Sequence, residues 1–141
     1  MRYMNDYIEA KYHLAVAERM LAGYDEYPEK RFLVGVINEG AKAVAKLIRA
    51  FLIYSEMKRG NLDKFLLTIA PKYLDDVTAG NLVKILKIER AQKTSPIEFA
   101  KGDKIILLIC GKYRILTVSR IREFIKSVRV AVSRFPTSIK R

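Results

Sequence analysis

The chain has 141 residues, half of them hydrophobic and 30% charged. That is enough to bury roughly two thirds of the unfolded surface in one core, and it excludes a disordered or fibrous chain. A single cysteine, Cys110, and a single histidine, His13, exclude an internal disulfide and leave too few ligands for a Cys/His zinc site. Lys and Arg number 27 against 15 Asp and Glu, a net charge of +12. The excess is C-terminal, because residues 1–70 carry 11 basic against 9 acidic side chains and residues 71–141 carry 16 against 6.

A nearly neutral half joined to a basic half predicts a face for polyanions: nucleic acid, an acidic protein or an anionic surface. No G-x-S-x-G motif marks an acyl-transfer serine. The start, Met1-Arg2-Tyr3-Met4, lacks the apolar run of a signal peptide, and the longest apolar stretch, Ile105 to Cys110, is too short to span a bilayer. The expectation is a cytoplasmic protein with no membrane role.

Between Asp6 and Tyr24, the residues Tyr7, Ala10, Leu14, Ala17, Leu21 and Tyr24 recur at spacings of three and four, which predicts a helix over 6–24. His13 sits at the edge of that stripe as a half-buried packing residue. Gly23, Asp25 and Pro28 supply the turn. A second helix is predicted over 29–58, with Pro28 and Glu29 suited to its first turn and Gly60 as its stop. Leu33, Val36, Ile37, Gly40, Ala41, Val44, Leu47, Ile48 and Phe51 form its apolar face, while Asn38, Lys42, Lys46 and Arg49 gather opposite. Lys42, Lys46 and Arg49 make a secondary basic ridge, read as a solvated face with Glu39 as partner to Lys42. Gly35 and Gly40, each disfavoured inside a helix by about 1 kcal/mol, predict close approach of another backbone there.

Asn61 can cap a short third helix carrying Leu62, Phe65, Leu66 and Ile69, which Pro71 is expected to terminate within a residue or two. A fourth helix is predicted over 81–93, where Leu82, Val83, Ile85, Leu86 and Ile88 nearly surround the axis and imply deep burial. Asp75 and Asp76 precede it as candidate caps. No third acid is placed nearby by spacing, so no metal site is expected.

Residues 97–118 are ambiguous. Ser95-Pro96-Ile97-Glu98 fits a capping box and a helix start. Gly102-Asp103 and Cys110-Gly111 look like turns around two short runs of strand length, so a small β-hairpin or meander is favoured over a helix. Cys110, without a partner, reads as a packing residue. A last helix is predicted over 118–135, capped by Thr117 or Ser119, with Ile121, Phe124, Ile125, Val128, Ala131, Val132 and Phe135 as its buried stripe. Arg122, Lys126 and Arg129 line one flank. The reading is one mainly α domain, an antiparallel helical bundle over 1–135, with a flexible basic tail over 136–141.

The stretches Ala10-x3-Leu14-x2-Ala17-Glu18 and Ile37-Asn38-Glu39-Gly40-Ala41-x3-Ala45-Lys46-x2-Arg49-Ala50-Phe51-Leu52 resemble the opening helices of HEPN domains. The resemblance covers roughly residues 6–55 and implies a small helical bundle, usually a dimer. Many members are ribonucleases with an Arg-x4-6-His motif, and others pair with a nucleotidyltransferase in toxin–antitoxin systems. Here the motif is absent: Arg2 alone precedes His13, with ten residues between. That departure disfavours the usual ribonuclease mechanism, and no catalytic residue or cofactor is assigned.

The expected function is therefore a binding module. Lys112, Arg114, Arg120, Arg122, Lys126, Arg129 and Arg134 are the candidate contacts to RNA or DNA phosphates, with Tyr113 placed to stack on an unpaired base. The alternative is a protein-interaction bundle, either a homodimer or one member of a pair with an acidic protein partner.

Overall fold

A computed structural model describes residues 2–57, 60–94, 99–101, 104–109 and 111–136. Two long antiparallel helices, α1 (Arg2–Glu26) and α2 (Lys30–Tyr54), form the frame, and the three residues 27–29 between them allow no other arrangement. The α1 stripe is buried as its spacing predicts, with Ala10 and Ala17 fully covered and Leu14, Leu21 and Tyr24 beside them. Helix α2 is central and packs against α1, α5 (Asp76–Thr94) and α6 (Val118–Ser133). Its buried face is wider than the periodicity indicates, because Ala43, Ala50 and Leu52 join the core.

Helix α2 ends four residues before the expected boundary, and Gly60 is not its stop. The Met57 N–H donates to the Leu52 carbonyl and the Glu56 N–H to the Ile53 carbonyl, both at 3.0 Å. These are the paired bonds of a Schellman motif, which needs a left-handed residue between helix and exit. Glu56 takes that conformation at φ 59°. Gly60 serves a different purpose: a Cβ there would lie 2.4 Å from Leu52 Cδ2, so the returning chain needs a residue without a side chain.

The two glycines inside α2 also differ from expectation. A Cβ on Gly35 would meet Met20 Sδ at 2.3 Å, and one on Gly40 would meet Ile85 Cδ1 at 2.6 Å and Ile125 Cδ1 at 2.9 Å. Side chains of α1, α5 and α6, rather than a second backbone, fill the space the glycines leave.

Asn61 caps the next segment, its Oδ1 accepting from Lys64 N–H at 2.9 Å. Helix α3 (Leu62–Lys64) then passes through a π-helical turn, Phe65–Ile69, into α4 (Ala70–Tyr73). The helical segment ends at Tyr73, two residues after Pro71, as expected. The wider turn, in which Ala70 N–H bonds to the Phe65 carbonyl, shifts the hydrogen-bond register just before the proline, whose missing N–H would interrupt a regular helix. Helix α5 begins five residues earlier than predicted because Asp75 caps it: Thr78 donates from its backbone N–H at 3.3 Å and from its hydroxyl at 2.6 Å. Only Leu82 and Ile85 of its apolar residues are fully buried, so the helix is half-covered rather than enclosed.

The region between α5 and α6 is sheet. Strands β1 (Phe99–Lys101), β2 (Lys104–Ile109) and β3 (Lys112–Thr117) form an antiparallel meander in that order, the larger of the two sheet forms expected. Gly111 supplies the positive φ of the β2–β3 turn, at 76°. The register sets Ile105 opposite Leu116 and Leu107 opposite Arg114, and Ile105 and Leu107 are buried. The capping-box reading of residues 95–98 and the packing role of Cys110 lie outside the described residues, as does the tail beyond Pro136.

Thr117 caps α6, its hydroxyl accepting from Arg120 N–H at 3.1 Å. Asn81 of α5 donates to the Ser127 hydroxyl of α6 at 2.9 Å within the core. Beyond the end of α6, Phe135 is 2% exposed and closes the bundle. Its ring stacks on Tyr7 at 4.7 Å and meets Tyr3, Phe51 and Tyr54 at 5.9, 5.0 and 5.7 Å. No described helix is long and apolar enough to cross a membrane.

Candidate functional site

The cations named from the sequence fall on three surfaces. The first is the seam between α1 and α6. Arg129 Nε donates to Glu18 Oε2 at 2.6 Å and its other nitrogen engages the second carboxylate oxygen, a bidentate pair. Hydrogen bonding to Glu18, then its charge, holds the Arg129 guanidinium even more firmly in the charged form. About two turns earlier, Arg122 pairs with Asp25. Lys126 lies between them on a shallow pocket of about 480 Å³ that Glu18 and Asp25 also line. Arg122 and Arg129 thus face acids of the first helix rather than a solvated flank. Arg134 sits exposed at the C-cap of α6.

The second surface is the ridge of α2, which is also an internal seam. Lys46 lies 3.0 Å from Glu9 and 3.8 Å from Asp6, and Arg49 lies 3.3 Å from Asp6, whose residue is only 6% exposed. Lys42 takes its expected partner Glu39 at 3.4 Å. The closer partner of Glu39 is His13, whose Nδ1 lies 2.7 Å from Oε1. Burial pushes the Glu39 carboxyl up, but hydrogen bonds from His13 and Lys42, with their charges, outweigh it and hold the group below its usual value. His13 is half-buried, as expected, and spent on that contact. Asn38, assigned to the polar face, is half-buried, and its Oδ1 has no hydrogen-bond partner among the described residues.

The third surface is an open groove of about 780 Å³ between α5, β3 and α6. Lys84 and Lys87 line it from α5, Arg114 from β3 and Arg120 from α6, and Ile88, Ile115, Leu116 and Phe124 line it between them. The strand-to-helix junction places these groups: β3 runs directly into α6 at Thr117, so Arg114 and Arg120 are held on either side of one capped turn. Arg120 lies over the Phe124 ring, 4.9 Å from its centroid, and pairs with Glu123. Among the described residues, no carboxylate pairs with Lys84, Lys87 or Arg114. Lys112 and Tyr113 stand exposed at the turn end of β3.

Such a groove can hold an anion along its rim and an apolar surface against its lining. Arg114 and Arg120 were legible from the sequence; Lys84 and Lys87 were not. Their signal was the spacing Lys84-x2-Lys87-x2-Arg90, which marks a polar face on a segment otherwise crowded with apolar residues. Among the described residues, no three His, Cys, Asp or Glu side chains gather as a metal site. The chain matches no known protein family, no curated protein and no solved structure.

Proposed function

We propose that the protein is a non-enzymatic helical-bundle module of the cytoplasm that binds RNA or DNA through its C-terminal half, with the α5–β3–α6 groove as the contact surface. One observation carries this reading: four cations converge on that groove, and among the described residues only Arg120 has a carboxylate beside it. Phosphates displace condensed counterions when cations lie along a surface, and cations already held by acids contribute less. Arg122 and Arg129 are of the second kind.

The test is nucleic-acid affinity measured against salt by fluorescence anisotropy. Replacing Lys84, Lys87 and Arg114 with Gln should flatten the slope of log affinity against log salt by about two to three units. Replacing Arg122 and Arg129 with Gln should change it little. Wild-type protein that fails to retain RNA or DNA at about 50 mM salt overturns the proposal.

A second reading, protein partnership as a homodimer, draws on α1. Ile8 and Tyr12, one turn apart, are 57% and 63% exposed on its outer face, an apolar pair that a second copy would cover. Sedimentation that finds only a 16 kDa species at micromolar concentration removes it.

A further inference from the structure

We infer that the open edge of β3 receives an extended segment of a protein partner as a fourth, antiparallel strand, with acidic side chains at alternate positions turned toward the groove and apolar ones between them. The inference is independent of the nucleic-acid reading, because it uses backbone groups that a phosphate chain does not need.

Strand β3 ends the sheet order β1-β2-β3, so one of its sides has no strand beside it. The register shows which of its backbone groups are left over. Ile109 and Lys112 close the β2–β3 turn across two residues, and the closing pair of a two-residue hairpin is hydrogen-bonded. Pair types alternate along an antiparallel ladder. Lys112, Arg114 and Leu116 therefore direct their N–H and C=O groups toward β2, while Tyr113 and Ile115 direct theirs to the open side. Among the described residues, no backbone group outside the sheet bonds to Tyr113 or Ile115. Their side chains are 68% and 66% exposed, so no described element covers them.

The groove runs along this same edge. Successive side chains of a strand point to opposite faces, yet the four consecutive residues Arg114–Thr117 all line the groove. A surface that touches both faces of a strand passes along its side. Arg114 and Leu116 share the inner face with buried Leu107 and Ile105, and Tyr113 and Ile115 share the outer face with half-buried Ile106. A strand added about 4.8 Å from β3 would thus set its residues opposite Lys112 and Arg114 on the side where Lys84, Lys87 and Arg120 line the groove. Its residues opposite Tyr113 and Ile115 would lie on the apolar outer face. Acids suit the first set and apolar side chains the second, since cross-strand neighbours of opposite charge, or of shared apolar character, stabilise a ladder. Main-chain bonds supply affinity in such strand addition, and the alternate side chains supply specificity.

Two other occupants use less of the edge. A second copy of β3 would bring the same cations to the seam, where facing like charges are destabilising. A polyanion without strand geometry satisfies the cations but leaves the N–H and C=O groups of Tyr113 and Ile115 in water.

The experiment titrates the intact protein at about 100 mM salt with a labelled peptide of about ten residues in which valine and glutamate alternate. A second peptide has the same composition with its valines and glutamates in separate blocks. The alternating peptide should bind at least about tenfold more tightly. N-methylation of its valines, whose N–H groups would bond to Tyr113 and Ile115, should weaken binding about tenfold, whereas N-methylation of its glutamates, whose N–H groups point away, should change it less than about twofold. In hydrogen exchange, the Tyr113 and Ile115 amides should exchange rapidly in the free protein and become protected with the alternating peptide, while those of Arg114 and Leu116 exchange slowly in both states. Equal binding of the alternating and blocked peptides, or equal effects of the two methylations, overturns the inference, as does the absence of peptide binding. A labelled oligonucleotide that still binds in that case leaves the nucleic-acid reading standing alone. A protein that takes the alternating peptide and no oligonucleotide supports the inference and removes that reading.

Discussion

Phe135 offers the most direct test of how the bundle is closed. It lies beyond the last helical residue, where chains commonly fray, yet it is 2% exposed and touches four rings, two from each helix, at the open end of the α1–α2 hairpin. Truncating a buried phenylalanine to alanine costs about 3–5 kcal/mol, the cavity included. Aromatic pairs in these geometries add about 0.5–1.5 kcal/mol each beyond burial, which places Phe135→Ala toward the upper end. For a domain of this size the melting temperature should fall by on the order of 10 °C. Phe135→Leu, which keeps most of the volume, should cost only about 1–1.5 kcal/mol. Urea unfolding followed by far-ultraviolet circular dichroism measures both, with the denaturant slope unchanged if the native state stays closed. A loss below about 1 kcal/mol for Phe135→Ala would show that the segment is detached in solution and that the ring cluster does not hold the end of the bundle.

At the end of α2, Glu56→Gly should stabilise the protein by about 0.5–1 kcal/mol, since a left-handed residue with a side chain costs about 1–2 kcal/mol and glycine loses part of that gain in backbone entropy; a lower melting temperature would refute the Schellman assignment. Gly60→Ala should destabilise, because its Cβ would strike Leu52, and unchanged stability would mean the loop relaxes freely. The lowered pKa of Glu39 means that its contribution is present above the unfolded value of about 4.5 and is lost as pH falls through the folded value. Glu39→Gln should therefore be less stable than wild type at neutral pH and less sensitive to acid below about pH 4.5; identical acid limbs in equilibrium unfolding would refute the linkage.

The frame of the fold is legible because α1, α2 and α6 each bury one stripe at helical spacing, and Asn61 carries its own capping chemistry. Pro71 marks the end of its helix to within two residues, but the π turn before it carries no local signal, because it spans five residues, Phe65–Ile69. Strand β1 is concealed by the adjacent capping-box pattern, which is equally compatible with a helix. The ambiguity of β2 has a similar origin: its run of consecutive apolar residues gives no alternation to read. The charged surface is harder still. Arg122 and Asp25 are 97 positions apart, and Arg129 and Glu18 are 111 apart, so no local spacing reveals that these arginines are engaged. Lys84 and Lys87 were overlooked for the opposite reason, since the apolar residues around them suggested a helix covered on every side.

The contact between α1 and α6 also orders events during synthesis. Glu18 and Asp25 leave the ribosome long before Arg129 and Arg122, and the pocket for Phe135 is made by residues from the first quarter and middle of the chain. The nascent bundle therefore leaves the Tyr3 and Tyr7 side of this pocket without the Phe135 ring until residue 135 has emerged. Long-separation contacts of this kind slow folding and lengthen the interval in which a chaperone can engage the chain. A ribosome stalled before residue 135 would carry an unclosed hairpin pair, and its apolar end would be the first place for a quality-control factor to bind.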